Sequence, residues 1–258
     1  MQDILNSLSD DMQSRGLTDD AFLGGQLKIL QPKIGYRAAM DPVLLAAAAP
    51  VLSKGRALDL GAGVGTAGLC YLHRVANIEM IALEMQEDLS KLSLENAHRN
   101  DFGTLFAAVH GDLSEKYIEG VESNSFDLVI TNPPYVDFAK AQHSPDEIRQ
   151  KANIESHVTM DKWLDVGLKK LKQKGWFVMI QRADRLDEIL SHLRGKLGEI
   201  TIIPLWPKAG EAAKRVIIRG RKAVKGGSVM HPGLCLHEEG RRYTREAEAI
   251  LWAGHGLE

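Results

Sequence analysis

The sequence predicts a doubly wound α/β fold: a mostly parallel sheet of seven strands covered on both faces, with an antiparallel strand at its edge. Three observations predict it. From Arg56 onward, short apolar runs alternate with amphipathic helical segments, the rhythm of strand–helix–strand units. The run Phe126-Asp127-Leu128-Val129-Ile130-Thr131 stops on Asn132-Pro133-Pro134-Tyr135, as a buried strand must when two prolines cannot continue its ladder. Glu199 to Leu205 and Arg215 to Arg219 read as paired strands joined by Trp206–Glu211, a connection that favours an antiparallel edge. Right-handed crossovers then make the sheet doubly wound.

Taken in order, residues 1 to about 20 are polar and rich in Asp and Ser, and read as a loose or weakly helical arm. Gln26–Leu30 and Lys33–Arg37, on either side of Pro32, resemble a small hairpin. Asp41-Pro42 opens a helix through Ala49, with Asp as cap and Pro at the first helical position. Strands follow at Ala57–Leu60, Glu79–Glu84 and Phe106–Val109, with helices over Thr66–Val75 and Gln86–Asn100 and a helical stretch leading to Phe126. Residues 136 to about 157, with His143, Ser144 and Pro145, form a polar loop at a strand's carboxyl end, where substrate lids commonly sit. A helix near Met160–Lys174, the strand Trp176–Ile180 and an amphipathic helix at Leu186–Leu197 precede the paired strands, and a last helix falls near Thr244–Trp252. The domain expectation is an arm at 1–25, one main domain at 26–222 that includes the hairpin, and an extension at 223–258. Leu257-Glu258 reads as a cloning remnant and is set aside.

Composition narrows the class. At 258 residues, with 44% hydrophobic and 26% charged residues, the chain is an ordinary globular one. It shows no targeting signal and no apolar run near the roughly 20 residues a bilayer requires, which points to the cytoplasm. Cys70 and Cys235 are too few for a disulfide framework and lack metal-ligand spacing, so no metal is expected. The net charge of −2 gives no global case for nucleic acid. Lys169, Lys170, Lys172 and Lys174, then Arg215, Arg219, Arg221, Lys222 and Lys225, then Arg241, Arg242 and Arg245, are locally basic and suit phosphates, or else are solvated helix and strand ends. Nothing in the sequence reports oligomeric state.

Chemistry gathers at strand ends. Asp59-Leu60-Gly61-Ala62-Gly63-Val64-Gly65 joins a strand to its helix through glycines that let a cofactor approach main-chain N–H groups, though alone such a turn is a weak signal. Glu84 ends the next strand roughly 20 residues on, where a carboxylate accepts from a ribose diol or caps a helix. Asp112, after the third strand, can accept from the exocyclic amine of an adenine or cap its own loop. Together these ends imply an adenine nucleoside.

The order of this glycine loop, Glu84, Gly111-Asp112 and Asn132-Pro133-Pro134-Tyr135 resembles the class I S-adenosylmethionine-dependent methyltransferases that modify amino groups, over about residues 25 to 220. Gln26 to Ala49, with Tyr36-Arg37 and Asp41–Ala46, is similar to the bacterial adenine-N6 methyltransferases acting on valine-specific tRNA. The resemblance implies a Rossmann-like methyltransferase fold with S-adenosyl-L-methionine held by Asp59, Gly61, Ala62, Gly63, Gly65, Glu84, Asp112, Leu113 and Asn132. It also implies catalysis by Asn132, Pro133, Pro134 and Tyr135, substrate contacts from Tyr36, Arg37 and Asp41, and RNA, tRNA in particular, as partner. An amine conjugated to a ring is a weak nucleophile and must be held with its lone pair toward the methyl group. The Asn132 side-chain oxygen and the Pro133 carbonyl suit its two N–H bonds, and Tyr135 suits stacking. His110, His143 and His157 are given no role as a base. The alternatives are a protein glutamine-N5 methyltransferase, whose substrate offers the same flat NH₂ group, and a nucleoside-binding module without catalysis.

Overall fold

The computed structural model describes residues 2–135 and 158–257. The expected loop at 136–157, with His143, Ser144, Pro145 and His157, lies outside the described residues. Two short helices open the chain, α1 (Gln2–Ser7) and α2 (Asp10–Arg15), the second capped by the Ser9 hydroxyl accepting from Met12 N. A hairpin follows, β1 (Leu17–Phe22) pairing antiparallel with β2 (Leu27–Pro32). The partner of β2 therefore precedes it, and is not the Lys33–Arg37 segment that the sequence suggests. Gly24 and Gly25, at φ +65° and +95°, make the turn before β2, and Pro32 closes the strand because it has no N–H to donate.

The remaining elements are α3 (Met40–Ala48), β3 (Gly55–Leu60), α4 (Thr66–Arg74), β4 (Ile78–Glu84), α5 (Glu87–Arg99), β5 (Phe106–His110), β6 (Phe126–Thr131), α6 (Met160–Lys170), β7 (Leu171–Arg182), α7 (Leu186–Leu193), β8 (Leu197–Trp206), β9 (Arg215–Lys222), β10 (Val229–Met230), β11 (Leu234–Cys235) and α8 (Arg245–Ala253). The sheet order is β10-β8-β9-β7-β6-β3-β4-β5, with β11 also on β8. Seven long strands carry it, and two two-residue strands from the C-terminal segment extend its edge. The antiparallel strand is β9, slotted between β7 and β8 rather than lying outermost.

Period-two alternation divides the core. Ala57, Leu128, Ile130, Val178 and Ile180 face α3, α4 and α5, whereas Leu58, Leu60, Val129, Phe177 and Met179 face α6 and α7. Three other local expectations change. Residues 112–125 form turns rather than a helix, with Gly120 and Asn124 at φ +80° and +55°, values a helix does not accommodate. Helix α3 begins at Met40, and the side chain of Asp41 makes no cap hydrogen bond. Leu257 is buried, and its N–H donates to Ala47 O at 2.8 Å, so it is part of the packed structure.

Two contacts set the geometry around the glycine loop. Buried Asn96 of α5 accepts from Leu30 N at 2.7 Å and donates to Leu30 O and Val64 O, both at 3.0 Å, tying the hairpin to the loop. Arg74 donates to Ala46 O and Ala49 O, satisfying carbonyls at the end of α3 where a cation is favoured.

Candidate active site

Four strand ends converge at the carboxyl edge of the sheet. Strand order reverses between β3 and β6, because β4 and β5 lie on one side of β3 and β6 on the other. That switch point opens a crevice. A cavity of about 270 Å³ occupies it, lined by Tyr36 and Gly61, by Glu84, Met85 and Gln86, by Asp112 and Leu113, and by Asn132–Tyr135 with Trp163.

The glycine loop is shaped by what touches it. Gly61 N and Ala62 N both donate to Leu83 O, at 2.9 and 3.0 Å, bending the loop toward β4. A Cβ on Gly61 would meet the Trp163 ring at 2.6 Å, and one on Gly63 would meet the Tyr36 hydroxyl at 2.2 Å. Both residues also have positive φ, so close approach and backbone conformation each call for glycine. Of the loop residues Gly61 lines the cavity, whereas Ala62, Gly63 and Gly65 support the turn behind it.

The acids are occupied by the loop itself. Glu84 is buried; its carboxylate accepts from Gly63 N at 2.8 Å and Gln86 N at 2.9 Å, and burial raises its pKa. It links the glycine loop to the start of α5 while still facing the cavity. Asp59 is turned away from the cavity and accepts from Gly68 N of α4 at 2.9 Å. Burial pushes its pKa up to about 7, against the lowering effect of the Gly68 hydrogen bond. Asp112 lines the cavity and also accepts from Ser114 N at 2.6 Å, so it caps its own turn. Tyr36 lies over the loop with its phenol pKa raised, chiefly by burial and further by Glu84 and Asp59.

Asp59 yields a pH prediction. Its folded pKa lies above its unfolded value, so between about pH 4 and 7 the native state holds the extra proton. Stability falls as pH rises through that window. Asp59→Asn keeps an acceptor for Gly68 N and removes the charge. Denaturant unfolding is expected to show the variant more stable than the parent at pH 8, by on the order of a few kcal/mol, with the difference vanishing near pH 4.

The Asn-Pro-Pro-Tyr segment is held from below. Trp163 Nε1 donates to Thr131 Oγ1 at 2.8 Å, and Thr131 Oγ1 donates to Leu60 O at 2.8 Å, fixing the end of β6. The Asn132 side-chain oxygen is buried without a hydrogen-bond partner among the described residues. The Pro133 carbonyl accepts a long hydrogen bond, 3.5 Å, from Gln181 Nε2 at the end of β7. The Tyr135 hydroxyl donates to Asp41 Oδ2 at 2.5 Å.

Of the residues expected at the substrate, Arg37 is engaged in the hairpin and Asp41 is bonded to Tyr135 at the site. Arg37 donates to Pro32 O, Thr18 Oγ1 and Asp20 Oδ2, all at 2.8–2.9 Å, and so braces the hairpin. Asp41 is held by Tyr135 and by Arg215 Nε. Most of the first two basic segments lie at the opposite edge of the sheet, near the start of β7 and the end of β9. There Lys170 bonds Val121 O, Lys172 pairs with Asp127, Lys222 bonds Leu171 O, and Arg221 bonds Lys174 O. Of the basic residues singled out, Arg215 reaches the site. Trp163 and Gln181 are site residues that no motif in the sequence marks. The available signals were an aromatic on the helix after the motif and a polar residue ending an apolar strand.

The methyltransferase small domain model matches residues 40–200. The tRNA1(Val) (adenine(37)-N6)-methyltransferase of Actinobacillus pleuropneumoniae serotype 5b is 27% identical over 195 residues, covering 75% of this chain and 80% of its own. The protein of the same name from Tolumonas auensis is 24% identical over 238 residues, covering 89% and 94%. Among solved structures, a predicted O-methyltransferase from Agrobacterium tumefaciens superimposes with a TM-score of 0.69 at 22% identity, over 84% of this chain and 98% of that one. TYW2 of P. horikoshii, in complex with MeSAdo, gives 0.56 at 15% identity over 80% and 71%. At these identities the two structures speak for the fold alone.

Proposed function

The chain belongs to the methyltransferase small domain family, and from that premise we propose that it is an S-adenosylmethionine-dependent enzyme that methylates the exocyclic N6 of an adenine in tRNA. One observation carries the amino-group chemistry: the buried, unpartnered oxygen of Asn132 at the cavity wall. Leaving such an acceptor unsatisfied costs about 1–3 kcal/mol, so its retention marks a place kept for a donor. A binding module without catalysis has no use for it.

The lining residues fit the cofactor. Glu84 and Asp112 present carboxylates suited to ribose hydroxyls and an adenine amine, Leu83, Met85, Leu89 and Leu113 form apolar walls for a flat base, and the glycine loop leaves room beside them. When bound, S-adenosylmethionine supplies a methyl group on a positively charged sulfur.

The rest falls to side chains and main chain of this protein. The Asn132 oxygen and the free lone pair of the Pro133 carbonyl accept the two N–H bonds of the substrate amine, turning its lone pair toward the methyl group. As the nitrogen becomes positive these acceptors strengthen, which lowers the barrier. Tyr135 provides a flat surface for the ring. The methylated nitrogen is acidic and releases its proton to solvent, so no base is required. An adenine in folded RNA must be turned out of its stack to enter.

Adenine is favoured over glutamine by the names of the curated relatives, which cover most of the chain. The basic segments at the far sheet edge contribute nothing to this choice. No described helix is long and apolar enough to cross a membrane, and a cytoplasmic site of action is part of the proposal. The test is incubation of the purified protein with methyl-labelled S-adenosylmethionine and both unmodified bulk tRNA and total protein. Label is expected in tRNA; label in protein alone would favour the glutamine reading.

Gln181 adds a finer prediction. Gln181→Leu removes the donor that orients the Pro133 carbonyl. It should lower kcat about 5-fold, the worth of one neutral hydrogen bond of ~1 kcal/mol, without weakening cofactor binding measured by calorimetry.

A further inference from the structure

Three residues far apart in the chain meet at Tyr135, which lines the cavity. Asp41 lies in the first turn of α3, Tyr135 follows β6, and Arg215 is the first residue of β9. Asp41 Oδ2 accepts from the Tyr135 hydroxyl at 2.5 Å and from Arg215 Nε at 3.1 Å. The Arg215 guanidinium sits 4.3 Å from the centre of the Tyr135 ring, covering one of its faces. The ring is therefore fixed at its hydroxyl and blocked on one side. The neighbouring Arg182, whose guanidinium reaches the Tyr135 carbonyl at 3.5 Å, is itself paired with Asp184.

We propose that Asp41 and Arg215 are positioning residues, a charge-balanced clamp that presents the face of Tyr135 opposite Arg215 to the substrate ring. The proposal rests on the amino-methylation reading above. Holding an aromatic ring in one orientation needs only packing and a hydrogen bond, and here a full cation lies on its back. A cation favours the electron-rich ring face, yet the substrate nitrogen becomes positive as it is methylated. An unbalanced guanidinium behind the platform would oppose that charge. Asp41 cancels it from hydrogen-bond distance, and does so through the same oxygen that takes the tyrosine hydroxyl. The two members divide the work, since Arg215 covers and orients the ring while Asp41 orients it and neutralises Arg215.

Charge balance between Asp41 and Arg215 leaves a signature that packing alone does not. Asp41→Asn keeps an acceptor for both partners and removes only the charge, so it should lower kcat about 10-fold with little change in KM. Arg215→Gln should chiefly raise KM for the RNA, again about 10-fold, because the platform loosens while no unbalanced cation remains. The double variant Asp41→Asn with Arg215→Gln should recover most of the kcat lost in Asp41→Asn alone. A purely structural role predicts a double variant at least as impaired as either single one, and that result would overturn the proposal.

A second readout does not depend on turnover. The chain has five tyrosines, and in protein labelled with 3-fluorotyrosine the Tyr135 fluorine signal is identified by its loss in Tyr135→Phe. Asp41→Asn and Arg215→Gln should each shift that signal; an unmoved signal in both would refute the clamp. Wild-type protein that transfers no methyl group to RNA would instead refute the functional reading, while the fluorine shifts would still report on the clamp geometry.

Discussion

Asn132→Ala is expected to lower kcat by about 10²–10³-fold, the loss seen when one preorganised partner of a developing charge is removed, while S-adenosylmethionine still binds. The same substitution should stabilise the protein. In the folded chain the Asn132 oxygen is buried without a partner among the described residues, and deleting it removes a desolvation cost of about 1–3 kcal/mol. Opposite signs for activity and stability are the mark of a residue kept for function. Initial rates, calorimetric binding of the cofactor and thermal unfolding check the three parts. Loss of stability together with activity would assign Asn132 a structural role.

The second large effect concerns the glycine loop. Gly63→Ala places a methyl group 2.2 Å from the Tyr36 hydroxyl at φ +58°. The backbone conformation alone costs about 1–2 kcal/mol for a residue with a Cβ, and relief of the clash displaces either Tyr36 or the loop. Cofactor affinity should fall on the order of 10–100-fold by calorimetry, each tenfold being ~1.4 kcal/mol. Adding Tyr36→Ala to Gly63→Ala removes the collision and leaves the backbone strain, so part of the folding stability should return. No recovery at all would mean that the Tyr36 contact is not what constrains Gly63.

How much of the fold and site was legible in the sequence depended on whether a signal was local. The glycine loop, Glu84, Asp112 and Asn132–Tyr135 each sit at the end of a short apolar run, and one adjacent pattern both ends the strand and supplies the chemistry. The strand runs were readable for the same reason. The partner of β2 was not, because Lys33–Arg37 resembles a returning strand as well as Leu17–Phe22 does, and only the turn at Gly24-Gly25 decides between them. Asp41 looked like a helix cap next to Pro42. Its actual partners lie at Tyr135 and Arg215, a pairing that no local pattern specifies. The basic segments show the converse failure. Their composition suits phosphate, but β9 runs antiparallel to β7, which carries its later residues to the far edge of the sheet, where Arg219 and Arg221 bond main-chain carbonyls. Arg215 stays at the site because it begins that strand.

The most direct measurement is the identity of the methylated nucleoside. Unmodified bulk tRNA treated with the protein and methyl-labelled S-adenosylmethionine, then digested to nucleosides, should yield label in N6-methyladenosine, and Asn132→Ala protein should yield almost none. Label in any other nucleoside, or in protein as N5-methylglutamine with tRNA unlabelled, would contradict the account.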